Sequence, residues 1–217
     1  MKLFAAMLDC SRNAVMRVGE VKKFASLLKK LGYNALMLYT EDTYEVEGEP
    51  YFGYMRGRYS KTEMKEIVTY CDSIGMEVIP CIQTLAHMNQ IFRWADYRDI
   101  CDTADILLAG EERTYELIEH MICTLRKCFS SQYLHIGMDE ADMLGLGKYL
   151  DKHGEANRME LLIHHLEQVI KIVEKYGFKP IMWSDMFFRL ANHGEYFPEN
   201  PSVSKEIIEI TPKQVGL

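Results

Sequence analysis

Two adjacent carboxylates, Asp139 and Glu140, follow an apolar segment and a glycine in the run Leu134-His135-Ile136-Gly137-Met138-Asp139-Glu140. Tyr133 to Ile136 reads as a buried strand, and in parallel α/β proteins ligands and catalytic groups gather where strands end. Two neighbouring acids are costly to keep ionised unless something pairs with them, and glycoside cleavage is a chemistry built from paired carboxylates. An acid pair can also simply open a helix, where the dipole favours negative charge. Successive residues on a strand face opposite sides, so the two acids are expected to split a task around one sugar rather than aim at one atom.

The elements that must position this pair repeat along the chain. Phe4 to Leu8 reads as a strand, and Val18 to Leu31 as a helix with Val21, Phe24, Leu27, Leu28 and Leu31 at helical spacing. Ala35 to Tyr39 is the next strand. Ser60-Lys61-Thr62-Glu63 is a capping box opening a second helix, and Met76 to Ile82 a third strand. A helix over Thr114 to Phe129 precedes strand four, Tyr133 to Gly137. A helix over Asn157 to Tyr176 precedes strand five, Lys179 to Trp183. Three helices close on Gly32, Gly75 and Gly177 one or two residues before a strand. Repeated βα units of this kind predict a parallel sheet, with function on the long loops Thr40–Tyr59, Gln83–Arg113 and Met138–Ala156. Ser184 to Leu190 reads as a further helical start, and Ile207 to Ile210 as at most a sixth strand. The expected fold is α/β, of (β/α)8 TIM-barrel type, with five to six of the eight units present. Residues 1–217 are expected to form one catalytic domain, shortened on its C-terminal side, with no internal linker.

The 217 residues are 48% hydrophobic and 26% charged, with a net charge of −7 and no Lys/Arg cluster. That composition suits a soluble globular domain and argues against nucleic acid and anionic membranes as partners. No apolar run reaches membrane-span length, and no signal-peptide pattern opens the chain. Localisation is not defined by the sequence, with a cytoplasmic setting favoured. Six cysteines without CxxC or metal-ligand spacing read as reduced, mostly buried thiols. Asp142 with Asp139 and Glu140 suggests a metal only if other strands complete the shell. No such set stands out, so neither a metal nor a cofactor is expected. No P-loop, dinucleotide turn, HExxH or nucleophile elbow is present.

His135-x-Gly137-x-Asp139-Glu140 resembles the active-site signature of glycoside hydrolase family 20, the β-N-acetylhexosaminidases, with Met138 where the commoner form has a second glycine. Asp9-Cys10-Ser11-Arg12 resembles that family's Asp-x-Ser-Arg. Pro80-Cys81-Ile82-Gln83-Thr84-Leu85-Ala86-His87 keeps the register of its Pro-Glu-Ile-Asp-Met-Pro-Gly-His at Pro80, Ile82 and His87 only. The resemblance implies substrate-assisted retaining hydrolysis of terminal β-linked N-acetylglucosamine or N-acetylgalactosamine. Glu140 would be the general acid and then the base, favoured by a partly apolar pocket. Asp139 would stay ionised and steady the cyclising acetamide. Arg12 would grip sugar hydroxyls, as a fork of donors suits a vicinal diol, with an internal salt bridge to Asp9 as the alternative. Trp183 would wall the acetamide pocket. His87 would bond the acid or a hydroxyl, or serve the fold, with Gln83 replacing an acid that could have relayed charge. Either Glu41 or Asp42 would support the histidine. Asp185 would bind sugar or cap the next helix, His135 would hydrogen-bond beneath the acids, and Trp94 would pack.

Two rival readings stand beside this one. The chain could be an inactive partial barrel serving as a fragment, a carbohydrate-binding piece or a scaffold. It could also be an unrelated TIM-barrel glycosidase with a direct carboxylate nucleophile. The expected partner is a carbohydrate, and the open edges of an incomplete sheet would invite self-association.

Overall fold

Five short strands pair side by side in chain order, all parallel: β1 (Ala5–Asp9), β2 (Ala35–Tyr39), β3 (Glu77–Cys81), β4 (Tyr133–His135) and β5 (Lys179–Ile181). The computed structural model describes residues 3–12, 14–195, 199 and 205–216. Between the strands run α1 (Val18–Lys30), α2 (Lys61–Ser73), α3 (Glu112–Arg126), α4 (Lys148–His153) and α5 (Arg158–Lys175). Then come α6 (Asp185–Ala191) and α7 (Lys205–Ile210). The order and direction are those of an incomplete (β/α)8 barrel, as the βα repeats require.

Local signals explain the element ends. Ser60 Oγ accepts from the Glu63 amide at 3.2 Å while Glu63 Oε2 accepts from the Ser60 amide at 2.8 Å, closing the capping box that starts α2. Asn157 caps α5 by accepting from the Met159 amide at 3.0 Å. The expected sixth strand at Ile207–Ile210 is instead helical, within α7. A four-residue apolar run such as Ile-Ile-Glu-Ile fits either period. The neighbour of β5 is Gly216, which forms an isolated parallel bridge with Ile181. Its amide donates to Pro180 O at 3.0 Å, and its carbonyl accepts from the Met182 amide at 2.9 Å.

The core lies between the sheet and the helices. Leu36, Val78 and Leu134 on the central strands are fully buried among apolar residues such as Val21, Ile67, Leu117 and Val169 from the helices, while Ile79, also fully buried, points to the other face of the sheet. β1 is the exception: its residues are half-buried or exposed along its length. All six cysteines are free thiols, with Cys10, Cys71, Cys81 and Cys128 buried.

The long loops above the strands are fastened by buried polar groups. Glu49 accepts from Arg113 Nη2 at 2.7 Å and pairs with His120 Nδ1 at 2.8 Å, tying the β2 loop to α3. Asp102 accepts from the Gly145 amide and the Tyr149 amide, each at 2.8 Å, joining the β3 and β4 loops. His165 of α5 is fully buried, and its Nε2 donates to Thr84 O at 2.8 Å. Only the Nε2–H tautomer can do so, because a carbonyl accepts and never donates. Thr84 in turn donates from Oγ1 to Ile136 O at 2.8 Å, which locks the β3 loop to the end of β4.

Burial pushes His165 down to about 4, against the raising effect of the Thr84 carbonyl. A histidine held neutral in the fold but free to charge when unfolded gives stability that is present above about pH 6.5 and is lost as pH falls toward 4. Unfolding free energy measured by urea titration is expected to fall across that window. The contribution of one histidine is at most about 1.4 kcal/mol per pH unit. In His165→Gln the slope should be shallower than in the wild type.

Candidate active site

The acid pair stands beyond the end of β4 rather than on it. Gly137, Met138 and Glu140 all adopt positive φ, at 72°, 70° and 53°. For Met138 and Glu140 this conformation is costly, and such strain collects at functional sites. Strand alternation therefore does not apply, and the two acids converge. His87 Nε2 is 3.3 Å from Asp139 Oδ2 and 3.7 Å from Glu140 Oε2. These are ion-pair distances without hydrogen-bond alignment, since Nε2 has no hydrogen-bond partner among the described residues. His87 also has positive φ, at 59°, which turns its ring inward from the β3 loop.

Gly137 makes this geometry available. A Cβ there would lie 2.2 Å from Gln83 Oε1 and 2.7 Å from Ile82 O. The space is filled by the Gln83 amide, which is fully buried. Its Nε2 donates to Asp139 Oδ1 at 2.7 Å and to Tyr39 Oη at 2.9 Å, and its Oε1 accepts from the Met138 amide at 3.1 Å. The residue that departs from the family pattern thus holds Asp139 directly. The sequence marked Gln83 only as replacing an acid, because a glutamine carries no charge signal, and Tyr39 escaped it because a strand tyrosine reads as core.

The two acids occupy unlike surroundings. The Asp139 side chain is 21% exposed and that of Glu140 is 57% exposed. Burial pushes the Asp139 carboxyl up, but His87 and Gln83 together outweigh it and hold it below the usual carboxylate range. Asp139 in return raises His87, against the opposing effect of burial. The apolar enclosure expected around Glu140 is not supplied by the described residues. Its backbone is fixed, because the Glu140 amide donates to Asp185 Oδ2 at 3.0 Å. Asp185 also accepts from Arg189 Nε at 3.1 Å, and burial raises its carboxyl. The structure thus sets Asp185 behind Glu140, while its buried Oδ1 has no hydrogen-bond partner among the described residues.

The remaining residues fall on either side. Trp183, 38% exposed, lines a cleft of about 250 Å³ with Asp139, Glu140, Ser184, Asp185 and Arg189. Its ring lies 4.6 Å from that of His135, centroid to centroid. His135 hydrogen-bonds beneath the acids, at the backbone and not at the carboxylates: its Nδ1 accepts from the Gly137 amide at 3.1 Å, and burial lowers it to about 4. The alternation that buries strand residues turns its ring under Trp183 instead. Arg12 lines a neighbouring polar cleft of about 320 Å³ with Glu41, Arg56 and His87. Its guanidinium donates to the buried Glu41 carboxylate and not to Asp9, which caps its own turn by accepting from Ser11 N at 2.8 Å. Glu41 Oε1 lies 3.7 Å from His87 Nδ1, whereas Asp42 accepts from Arg56 Nε at 3.1 Å. Of the two loop acids, only Glu41 faces the site. His87 lines the Arg12 cleft and stands against Asp139 and Glu140, which line the other.

A parallel βα sheet whose C-terminal mouth gathers two acids, a histidine, an arginine and a tryptophan defines a (β/α)8-type barrel with an acidic centre. Residues 5–204 match the description glycosyl hydrolase family 20, catalytic domain, and the chain belongs to that family. Hexosaminidase D of Bos taurus is 26% identical over 185 residues, covering 81% of this chain and 53% of that protein. Hexosaminidase D of Homo sapiens is 28% identical, covering 81% and 38%. The chain therefore spans about half, or less, of the length of these relatives. Among solved structures, the GH20 β-N-acetylhexosaminidase of Streptomyces coelicolor A3(2) superposes with a TM-score of 0.69 at 24% identity, covering 84% of this chain and 39% of that one. The exo-β-N-acetylglucosaminidase of Vibrio harveyi, solved with N-acetylglucosamine, reaches 0.74 at 18% identity, covering 91% and 37%.

Gly137→Ala tests the constraint on the acid loop. A methyl group at that position meets Gln83 and the Ile82 carbonyl in a backbone conformation alanine avoids. Destabilisation of at least about 2 kcal/mol is expected in chemical denaturation.

Proposed function

We propose that this chain carries the acid-bearing part of a β-N-acetylhexosaminidase, a single catalytic unit over residues 1–217 that acts on terminal β-linked N-acetylglucosamine or N-acetylgalactosamine. The observation that carries this reading is the convergence of Asp139 and Glu140 on His87 beside Trp183, with unlike exposure of the two acids.

The proposed reaction is substrate-assisted. The acetamide oxygen of the bound sugar attacks the anomeric carbon as the bond to the leaving oxygen breaks, and Glu140 passes its proton to that oxygen. Glu140, the more exposed acid, is reachable from the aglycone side. Asp139, ionised and held by Gln83, aligns the acetamide N–H and stabilises the positive charge of the oxazolinium ring. Water then adds to the anomeric carbon, its proton returns to Glu140, and the ring reopens to the acetamide with the configuration retained. Arg12, steadied by Glu41, binds hydroxyls of the terminal sugar. Trp183, backed by His135, packs against the acetamide methyl and the sugar's C–H face. His87 keeps the two acids apart from Glu41 and shares charge among them. Asp185 holds the Glu140 backbone and stands in the wall of the cleft that takes the sugar. Asp42 acts at a distance, by fixing Arg56 in the wall of the Arg12 cleft.

A second reading, sugar binding without turnover, is favoured by one feature. Glu140 and Trp183 stand more open to solvent than a closed pocket would leave them.

Release of p-nitrophenol from its N-acetyl-β-glucosaminide separates the readings. Glu140→Gln and Asp139→Ala are each expected to lower kcat by about 10² or more, and a thiazoline analogue of the cyclised acetamide should inhibit strongly. Near-full rate in Asp139→Ala would remove the acetamide role. Weak thiazoline inhibition would favour a direct carboxylate nucleophile. Thiazoline binding without turnover would favour the second reading.

A further inference from the structure

We infer that His87, Asp139 and Glu140 form a binding site for a zinc-type divalent cation. One ligand atom from each residue lies within 4.8 Å of the others. Zinc holds nitrogen and oxygen ligands at about 2.0–2.2 Å, so tetrahedral neighbours stand about 3.3–3.6 Å apart. His87 Nε2 is 3.3 Å from Asp139 Oδ2 and 3.7 Å from Glu140 Oε2, close to that spacing before any adjustment. The exposed Glu140 side chain has freedom to close the remainder.

Three further observations point the same way. His87 Nε2 is buried and has no hydrogen-bond partner among the described residues, so its lone-pair direction is unspent. The opposite ring nitrogen, Nδ1, faces the Glu41 carboxylate at 3.7 Å, beyond hydrogen-bond reach but on the side from which a carboxylate orients a metal-binding imidazole. Asp139 has one oxygen engaged by Gln83 Nε2 at 2.7 Å, which leaves Oδ2 turned toward His87. Two carboxylates balance the charge of a divalent ion, and the imidazole selects zinc-like metals over magnesium, which prefers oxygen ligands and an octahedral water shell. Three protein ligands leave one position open toward the 250 Å³ cleft.

The ion would occupy the atoms assigned above to acid catalysis, so it would act as a reversible inhibitor that competes with the sugar. That consequence rests on the proposed function, whereas the binding itself does not.

Calorimetric titration of the full chain with zinc chloride alone tests the site. One equivalent is expected to bind the wild type at least tenfold more tightly than magnesium chloride. Binding should weaken at least tenfold in both His87→Ala and His87→Gln, with thermal melts confirming that each variant folds. Asp142→Asn, an acid two residues from Glu140 but outside the cluster, should bind zinc as the wild type does. Unchanged zinc affinity in the His87 variants, or no preference over magnesium, would overturn the site. Zinc binding without any hydrolysis of the chromogenic glycoside would remove the proposed function and leave the site standing. Hydrolysis with no zinc binding would do the reverse.

Discussion

The buried amide of Gln83 is the contact on which the site depends. It occupies the volume that any side chain at position 137 would need, and it reaches three groups at once: the Asp139 carboxylate, the Met138 amide and the Tyr39 hydroxyl. A carboxylate at position 83 could accept from the Met138 amide but would repel Asp139. A glutamine offers a donor on one side and an acceptor on the other, which is what those neighbours require. The left-handed turn through Gly137 and Met138 and the aim of Asp139 are thus parts of one packing arrangement between β3 and β4.

Outward from that contact, charges alternate in sign across the mouth of the sheet. Arg12 meets Glu41, His87 stands between Glu41 and the two acids, and Asp185 lies between the Glu140 amide and Arg189. Burial opposes the charges of Arg12, His87 and Asp139, and their neighbours restore them, whereas at Asp185 burial prevails. Buried Glu41 and half-buried Asp139 keep cationic or polar partners, while the exposed Glu140 relies on water and His87.

Much of this was legible in the chain. The helix–glycine–strand repeats, the capping box at Ser60 and the strand over Ala35–Tyr39 all appear where the sequence places them, because each rests on local chemistry. The acid signature was readable for the same reason. Relations between distant loops were less visible. Strand alternation wrongly separated Asp139 from Glu140, because the strand stops at His135 and three positive φ values follow. Glu41 and Asp42 were indistinguishable until Arg56, 14 residues on from Asp42, claimed the second of them. The run around Ile207 matched a strand and a helix equally well, and its pairing with β5 falls instead to Gly216.

That last contact makes the two margins of the sheet chemically unequal. On the β5 side, Gly216 already engages the carbonyl of Pro180 and the amide of Met182. On the β1 side, no described residue pairs along the outer backbone. An added strand would find a vacant ladder beside Ala5–Asp9, whereas beside Lys179–Ile181 it would first have to evict a resident glycine. The two margins of the sheet thus differ in how much outer backbone stays unpaired among the described residues, more beside Ala5–Asp9 than beside Lys179–Ile181.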